Sequence, residues 1–127
     1  MNVPVALGVA AVTMGVLDGV WLAVVAKSFY RTQLGPILRR KFDGVAAGLF
    51  YVLYVIGVVA LAVGPADSVA NAALRGAVLG LVAYGTYDLT NRATVTPFPW
   101  RLALVDMTWG TVLTAIVAAV TEAVAGS

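Results

Sequence analysis

Four stretches of this chain, 3–26, 44–63, 72–89 and 102–125, are apolar for close to twenty residues at a time. An α-helix of roughly 20 residues crosses about 30 Å of bilayer hydrocarbon, so each stretch has the length of a membrane span. A buried chain in lipid has no water to satisfy its backbone, and helices solve that within the segment itself. A very apolar soluble bundle would need polar faces at the helical period, and long stretches here have none. Composition agrees: 61% of the 127 residues are hydrophobic and 11% charged, with a mean hydropathy of +0.96. The expected fold is all-α, a single integral-membrane bundle of four transmembrane helices occupying residues 1–127.

The third run is the least clean, because Arg75 lies near its start and Thr86 to Asn91 near its end are polar. It is still expected to span, since an arginine near a helix end extends to the headgroups. In the first run, Val24-Val25-Ala26 before Lys27 resembles a secretory cleavage site. Met1-Asn2-Val3 offers no basic leader and the run is too long, so the first helix is expected to stay in the mature protein.

Basic residues set the orientation. Lys27, Arg31, Arg39, Arg40 and Lys41 join spans one and two, and Arg92 and Arg101 join spans three and four, whereas the opposite side holds Arg75 with Asp67 and Glu122. The positive-inside rule places both basic loops in the cytoplasm and both termini outside, in a multi-pass protein of the bacterial inner membrane. The net charge of +2 thus reflects topology. Seven basic residues spread over two loops with no recognition motif argue against nucleic acid as a partner.

The connection from Lys27 to Asp43 mixes Phe29, Tyr30, Leu34, Ile37, Leu38 and Phe42 with its charges. That pattern predicts a short interfacial segment in the headgroup layer, broken at Gly35-Pro36, whose role is read as anchoring against membrane lipids in preference to gating. Pro97-Phe98-Pro99-Trp100-Arg101 predicts a rigid turn that starts the fourth helix. Gly15 with Gly19, Gly44 with Gly48 and Gly76 with Gly80 are small-xxx-small pairs that predict close helix contacts, within one bundle or between the copies of a homodimer.

Asp18, Asp88 and Asp106 interrupt the apolar spans. A carboxylate at a helix centre costs roughly 2.5 to 3.5 kcal/mol on insertion scales, so such residues face inward or serve a function. The topology puts all three roughly 6 to 14 Å from the cytoplasmic boundary at the helical rise. Residues three or four apart share a helix face. Asp18 is followed by Trp21, Asp106 by Trp109, and Asp88 is flanked by Tyr84 and by Asn91 and Arg92. Tyr51 and Tyr54 in the second span reach a similar level and offer hydroxyls. The functional reading is a cytoplasm-facing pocket of carboxylates, phenols and indoles for a cation, a proton or a polar headgroup. The architectural reading pairs Asp88 with Arg92 and bonds Asp18 and Asp106 to Trp, Tyr or Thr groups across helices. Of the two, the ion pair is the expectation for Asp88.

Other chemistries are limited by what is missing. The chain has no Cys and no His, which removes thiolate, iron-sulfur and haem chemistry and the usual catalytic base. No phosphate-binding glycine loop, dinucleotide fingerprint or serine elbow occurs, and the aspartates lack a recognised metal spacing, so neither a cofactor nor a metal is implied.

The block Tyr84-Gly85-Thr86-Tyr87-Asp88-Leu89-Thr90-Asn91-Arg92-Ala93-Thr94, then Trp100 and Val105-Asp106-Met107-Thr108-Trp109-Gly110-Thr111, resembles the bacterial membrane family catalogued as domain of unknown function 2177. Leu17-Asp18 through Trp21, Phe29-Tyr30-Arg31 and Phe50-Tyr51-Val52-Leu53-Tyr54 fit as well, so the resemblance covers nearly the whole chain. It implies a membrane protein, singles out Tyr87, Asp88, Asn91, Asp106, Trp109 and Thr111, and carries no activity over. Three functions stay open: binding, or as an oligomer moving, a polar or cationic small molecule; a membrane-embedded enzyme acting on a lipid; and a non-catalytic subunit of a membrane complex.

Overall fold

The computed structural model describes residues 1–35 and 43–126. Of the expected headgroup segment, Pro36, Ile37, Leu38, Arg39, Arg40, Lys41 and Phe42 lie outside those residues.

Each of three helix starts is fixed by a short polar side chain that accepts an otherwise orphaned backbone N–H. Asn2 accepts from Val5 at 3.0 Å, Asp43 from Ala46 at 3.0 Å and Ser68 from Asn71 at 3.0 Å. These caps open α1 (Val3–Val20), α3 (Gly44–Gly57) and α4 (Val69–Thr94). Between them α1 runs through a π-helical turn, Trp21–Ala26, into α2 (Lys27–Leu34), and α3 runs into a second π-helical stretch, Val58–Val63. After Pro99, α5 (Trp100–Ala125) closes the chain, as the proline-rich turn predicts.

Four helices are long and apolar enough to cross a membrane: Val3–Val25, Gly44–Val63, Val69–Thr94 and Trp100–Ala125. The expected runs match closely at the first, second and fourth. The third is longer than the expected 72–89. Its polar end stays helical because its threonines satisfy themselves on the preceding turn: Thr86 donates to the Val82 carbonyl at 2.6 Å and Thr94 to Thr90 at 2.8 Å.

α5 is the packing centre, touching α1, α4 and Val58–Val63. Its closest neighbour is α4, and glycine makes that possible. A Cβ on Gly76 would stand 2.5 Å from the Thr114 carbonyl oxygen, one on Gly80 would collide with the Gly110 carbonyl oxygen, and one on Gly110 would strike the Tyr84 ring. The Gly76/Gly80 pair therefore does what its spacing predicts. The other two pairs do not within this chain: Gly19, Gly44 and Gly48 face open space, and Gly15 meets only the Tyr51 hydroxyl, at 3.0 Å from a built Cβ.

The buried core is built of small and medium side chains, among them Ala6, Ala10, Met14, Val58, Ala62, Ala72, Leu113, Val117 and Ala118. Thr114 and Thr121 are fully buried without cost in unpaired hydroxyls, since each donates to its own i−4 carbonyl at 2.7 Å. Outside, Val12, Val16, Val24, Val45, Leu49, Leu53, Leu74, Val78, Val82, Leu104 and Val124 are all exposed. So broad an aliphatic exterior is the surface of a protein solvated by lipid. At the end that carries the basic loops, a second small core joins Phe98, Leu102 and Ala103 to Phe29, Tyr30 and Leu34. α2 is thus docked on the start of α5.

Candidate functional site

Asp18 and Asp106 open onto one cavity of about 470 Å³. Its walls come from every long helix: Trp21 and Leu22 follow Asp18, Phe50 and Tyr54 come from α3, Ala83, Tyr84 and Tyr87 from α4, and Trp109 from α5. Tyr30 reaches in from α2. Among these lining residues the two aspartates carry the only formal charges, and the rest of the wall is largely aromatic.

The carboxylates are held by crossed partners. Each aspartate has a tryptophan one turn along its own helix, yet Trp109 of α5 donates its indole N–H to Asp18 of α1 at 3.1 Å. Trp21, one turn along from Asp18, instead donates to the Tyr30 hydroxyl at 3.3 Å, and Tyr30 in turn donates to Asp106. The exchange is possible because the two indoles stack, with ring centroids 4.4 Å apart and planes 5° from parallel. Stacking sets the two rings side by side, with the Trp109 N–H at Asp18 and the Trp21 N–H at Tyr30. Trp21 also opens the π-helical turn, a local widening that recurs at functional sites.

Tyr30 is the residue the sequence reading passed over as a site. Its ring packs in the α2–α5 core and its hydroxyl ends at Asp106. Burial first, and then the bond to the Asp106 carboxylate, hold its phenol above the ordinary value, so it stays a donor. The signal was present in the Phe29-Tyr30-Arg31 block, but spacing alone reads that block as headgroup anchoring. α2 also has its apolar face docked on α5, which makes it part of the site's wall.

Tyr54 and Tyr84 meet edge to face at 6.1 Å, and the Tyr54 hydroxyl pairs with Thr114 at 2.7 Å. Tyr87 is 60% exposed and leans on Phe98 at 6.3 Å, which puts it at the rim with exposed Leu22 and Phe50. Four expected site residues do not line the cavity. Tyr51 spends its hydroxyl on the Ala11 carbonyl. Asn91 is half-buried, and its carbonyl receives the Val95 N–H at 2.8 Å. Arg92 donates to the Phe98 carbonyl at 3.2 Å and lies over the Trp100 ring at 5.2 Å.

That last contact corrects the expected Asp88–Arg92 ion pair. The i,i+4 spacing allows it, but Arg92 is exposed and turns to the α4–α5 turn, where a carbonyl and an indole face satisfy it without desolvation. Asp88 is completely buried, and neither of its carboxyl oxygens has a hydrogen-bond donor among the described residues. Its neighbour is Asp106 of α5, where close α4–α5 packing sets Gly85 beside Met107. Asp88 therefore stands behind the cavity wall, backing Asp106. Among the described residues no group of three or more His, Cys, Asp or Glu is arranged to hold a metal ion.

Fold and site together define a small helical membrane protein with an acidic, aromatic-walled cavity among four spans. The chain belongs to the family described as predicted membrane protein (DUF2177), whose model matches residues 4–123. No curated protein and no solved structure matches the chain.

Proposed function

We propose that this protein binds an organic cation in the cavity and, as a homodimer, moves it across the bacterial inner membrane. One observation carries the reading: a cavity of about 470 Å³ whose charged lining residues are two carboxylates set among indoles and phenols. Aromatic faces attract cations through their quadrupole, by about 0.5–1 kcal/mol at exposed sites and about 2 or more once desolvated. Asp18 and Asp106 add Coulombic attraction in a medium of low dielectric. The volume falls within the range of small-molecule sites. Movement is assigned to a dimer because a single set of four spans is small for a complete alternating-access pathway. With both basic loops in the cytoplasm, the cavity belongs to the cytoplasmic half.

The lipid-enzyme reading fits the walls less well, since no lining residue is basic enough to meet a phosphodiester. The purely architectural reading draws on the Trp109–Asp18 and Tyr30–Asp106 bonds, which tie α1, α2 and α5 together. Titrating the purified protein in lipid nanodiscs with tetraphenylphosphonium, followed by tryptophan fluorescence, tests the proposal. Saturable quenching is expected, weakened at least about tenfold in Asp18→Asn and in Asp106→Asn, which corresponds to about 1.4 kcal/mol each. No saturable binding by the wild type, or wild-type affinity in both variants, overturns it.

A further inference from the structure

We propose that Asp88 and Asp106 form a proton-binding site, holding one proton between their carboxyl groups, and that a cation entering the cavity displaces it. The second clause rests on the cation reading above; the first does not. The geometry is that of two neighbouring carboxyls, one of them fully enclosed, on the tightly packed α4–α5 pair where Gly80 meets Gly110 and Gly85 meets Met107. Both oxygens of Asp88 lack a donor among the described residues. Two carboxylates present only acceptor lone pairs to each other and bond only when one carries a hydrogen. With no cation at hand, a buried, unpaired anion beside a second anion is costly, whereas a shared proton satisfies both groups at once.

Among the described residues no cation is placed against that proton, and Arg31 of α2 is exposed. From α1 the facing ionisable group is Asp18, already accepting from Trp109. From α2 it is Tyr30, a donor to Asp106. From α3 it is Tyr54, engaged with Thr114. On α4 itself Tyr84 and Tyr87 are phenols, and Arg92 is turned to Phe98 and Trp100. On α5, Arg101 is exposed. Asp106 is the hinge of the arrangement, because one carboxyl group lines the cavity and also reaches Asp88. When an organic cation settles against Asp18 and Asp106, its charge takes the place of the proton's: the carboxyl O–H bond breaks heterolytically, the proton leaves to water, Asp106 remains as a carboxylate against the cation, and Asp88 remains as a carboxylate behind it, its charge offset by the cation's. No electron is transferred and no other co-reactant is needed.

Infrared spectroscopy of the ligand-free protein in nanodiscs, isotopically labelled at the aspartate side-chain carboxyl, reads the proton directly. A carbonyl-stretch band of a protonated carboxylic acid is expected at neutral pH, lost in Asp88→Asn and in Asp106→Asn and retained in Asp18→Asn. Absence of the band in the wild type, or its survival in both Asp88→Asn and Asp106→Asn, overturns the proton site. Titration with tetraphenylphosphonium in weak buffer is expected to release about one proton per cation, with apparent affinity falling up to about tenfold per unit of pH lowered. The release and the slope vanish in Asp88→Asn. Binding without proton release overturns the displacement. Failure of tetraphenylphosphonium to bind while the infrared band is present overturns the cation reading and upholds the proton site.

Discussion

Tyr30 shows how much a single side chain decides here. Its hydroxyl is both acceptor for Trp21 and donor to Asp106, so Tyr30→Phe deletes two bonds and leaves Asp106 facing Asp88 without that donor. Hydrogen bonds to charged groups contribute about 1.5–3 kcal/mol, and a half-buried phenol lies at the low end. The expected loss is about 1.5 kcal/mol of stability, read as a lower midpoint in a thermal melt of the solubilised protein. The pH dependence has a definite sign. Tyr30's phenol is held above its ordinary value in the folded state, so its contribution is fully present below about pH 10 and is lost as pH rises beyond that. The wild-type advantage over Tyr30→Phe therefore narrows above about pH 10, in melts run across the alkaline range.

The same scale shows why local spacing misassigned the partner of Asp88. Asp18 and Trp21, or Asp88 and Arg92, share a helix face, and the sequence makes each pair available. In the fold Trp109 has taken Asp18, and the Phe98 carbonyl has taken Arg92. A long side chain bonds whichever partner its rotamer reaches at least desolvation, and that partner sits on another element. The acidic cluster itself was legible, because three carboxylates in apolar spans are rare enough to mark a place without knowledge of packing.

Among the elements, α4 and α5 form the rigid pair. Gly80→Ala would drive a methyl into the Gly110 carbonyl and the Thr114 side chain. Overpacking of that kind costs about 1–3 kcal/mol, so a clear drop in melting midpoint is expected. Gly48→Ala, whose new methyl meets no atom of another helix within 4 Å among the described residues, is expected to hold or slightly raise the midpoint. The two variants carry the same chemical change, so their difference isolates helix contact from helix propensity. α2 makes the corresponding point about anchoring. Its composition suits the headgroup layer, yet Phe29, Tyr30 and Leu34 pack on Phe98, Leu102 and Ala103. A short amphipathic stretch has one apolar face, and only the presence or absence of a docking site decides whether lipid or protein covers it.

For the whole molecule, topology is the property with most at stake, since it sets which compartment the cavity serves. The chain contains no native cysteine, so single cysteines report sidedness without background. Ser28→Cys, exposed at the basic end, is expected to react with a membrane-impermeant maleimide only after the cells are permeabilised. Asp67→Cys, exposed in the turn before α4, is expected to react in intact bacterial cells. The reverse labelling would place the cavity near the outer face.

The amino-acid sequence by itself determined the number of spans, the turn before α5, the close approach at Gly76 and Gly80, and the presence of acidic groups within the spans. All of these follow from hydropathy, periodicity and residue chemistry within a window of a few turns, which bilayer thickness converts directly into structure. Tertiary structure alone decided that Asp18 and Asp106 share one cavity, that their indole partners are exchanged, that Tyr30 enters from α2, and that Asp88 lies enclosed behind Asp106 instead of paired with Arg92. Those outcomes depend on the rotation of each helix about its axis and on the gap between helices. Both are fixed by glycine contacts, aromatic stacking and side-chain hydrogen bonds between residues as much as 91 positions apart, as Asp18 and Trp109 are.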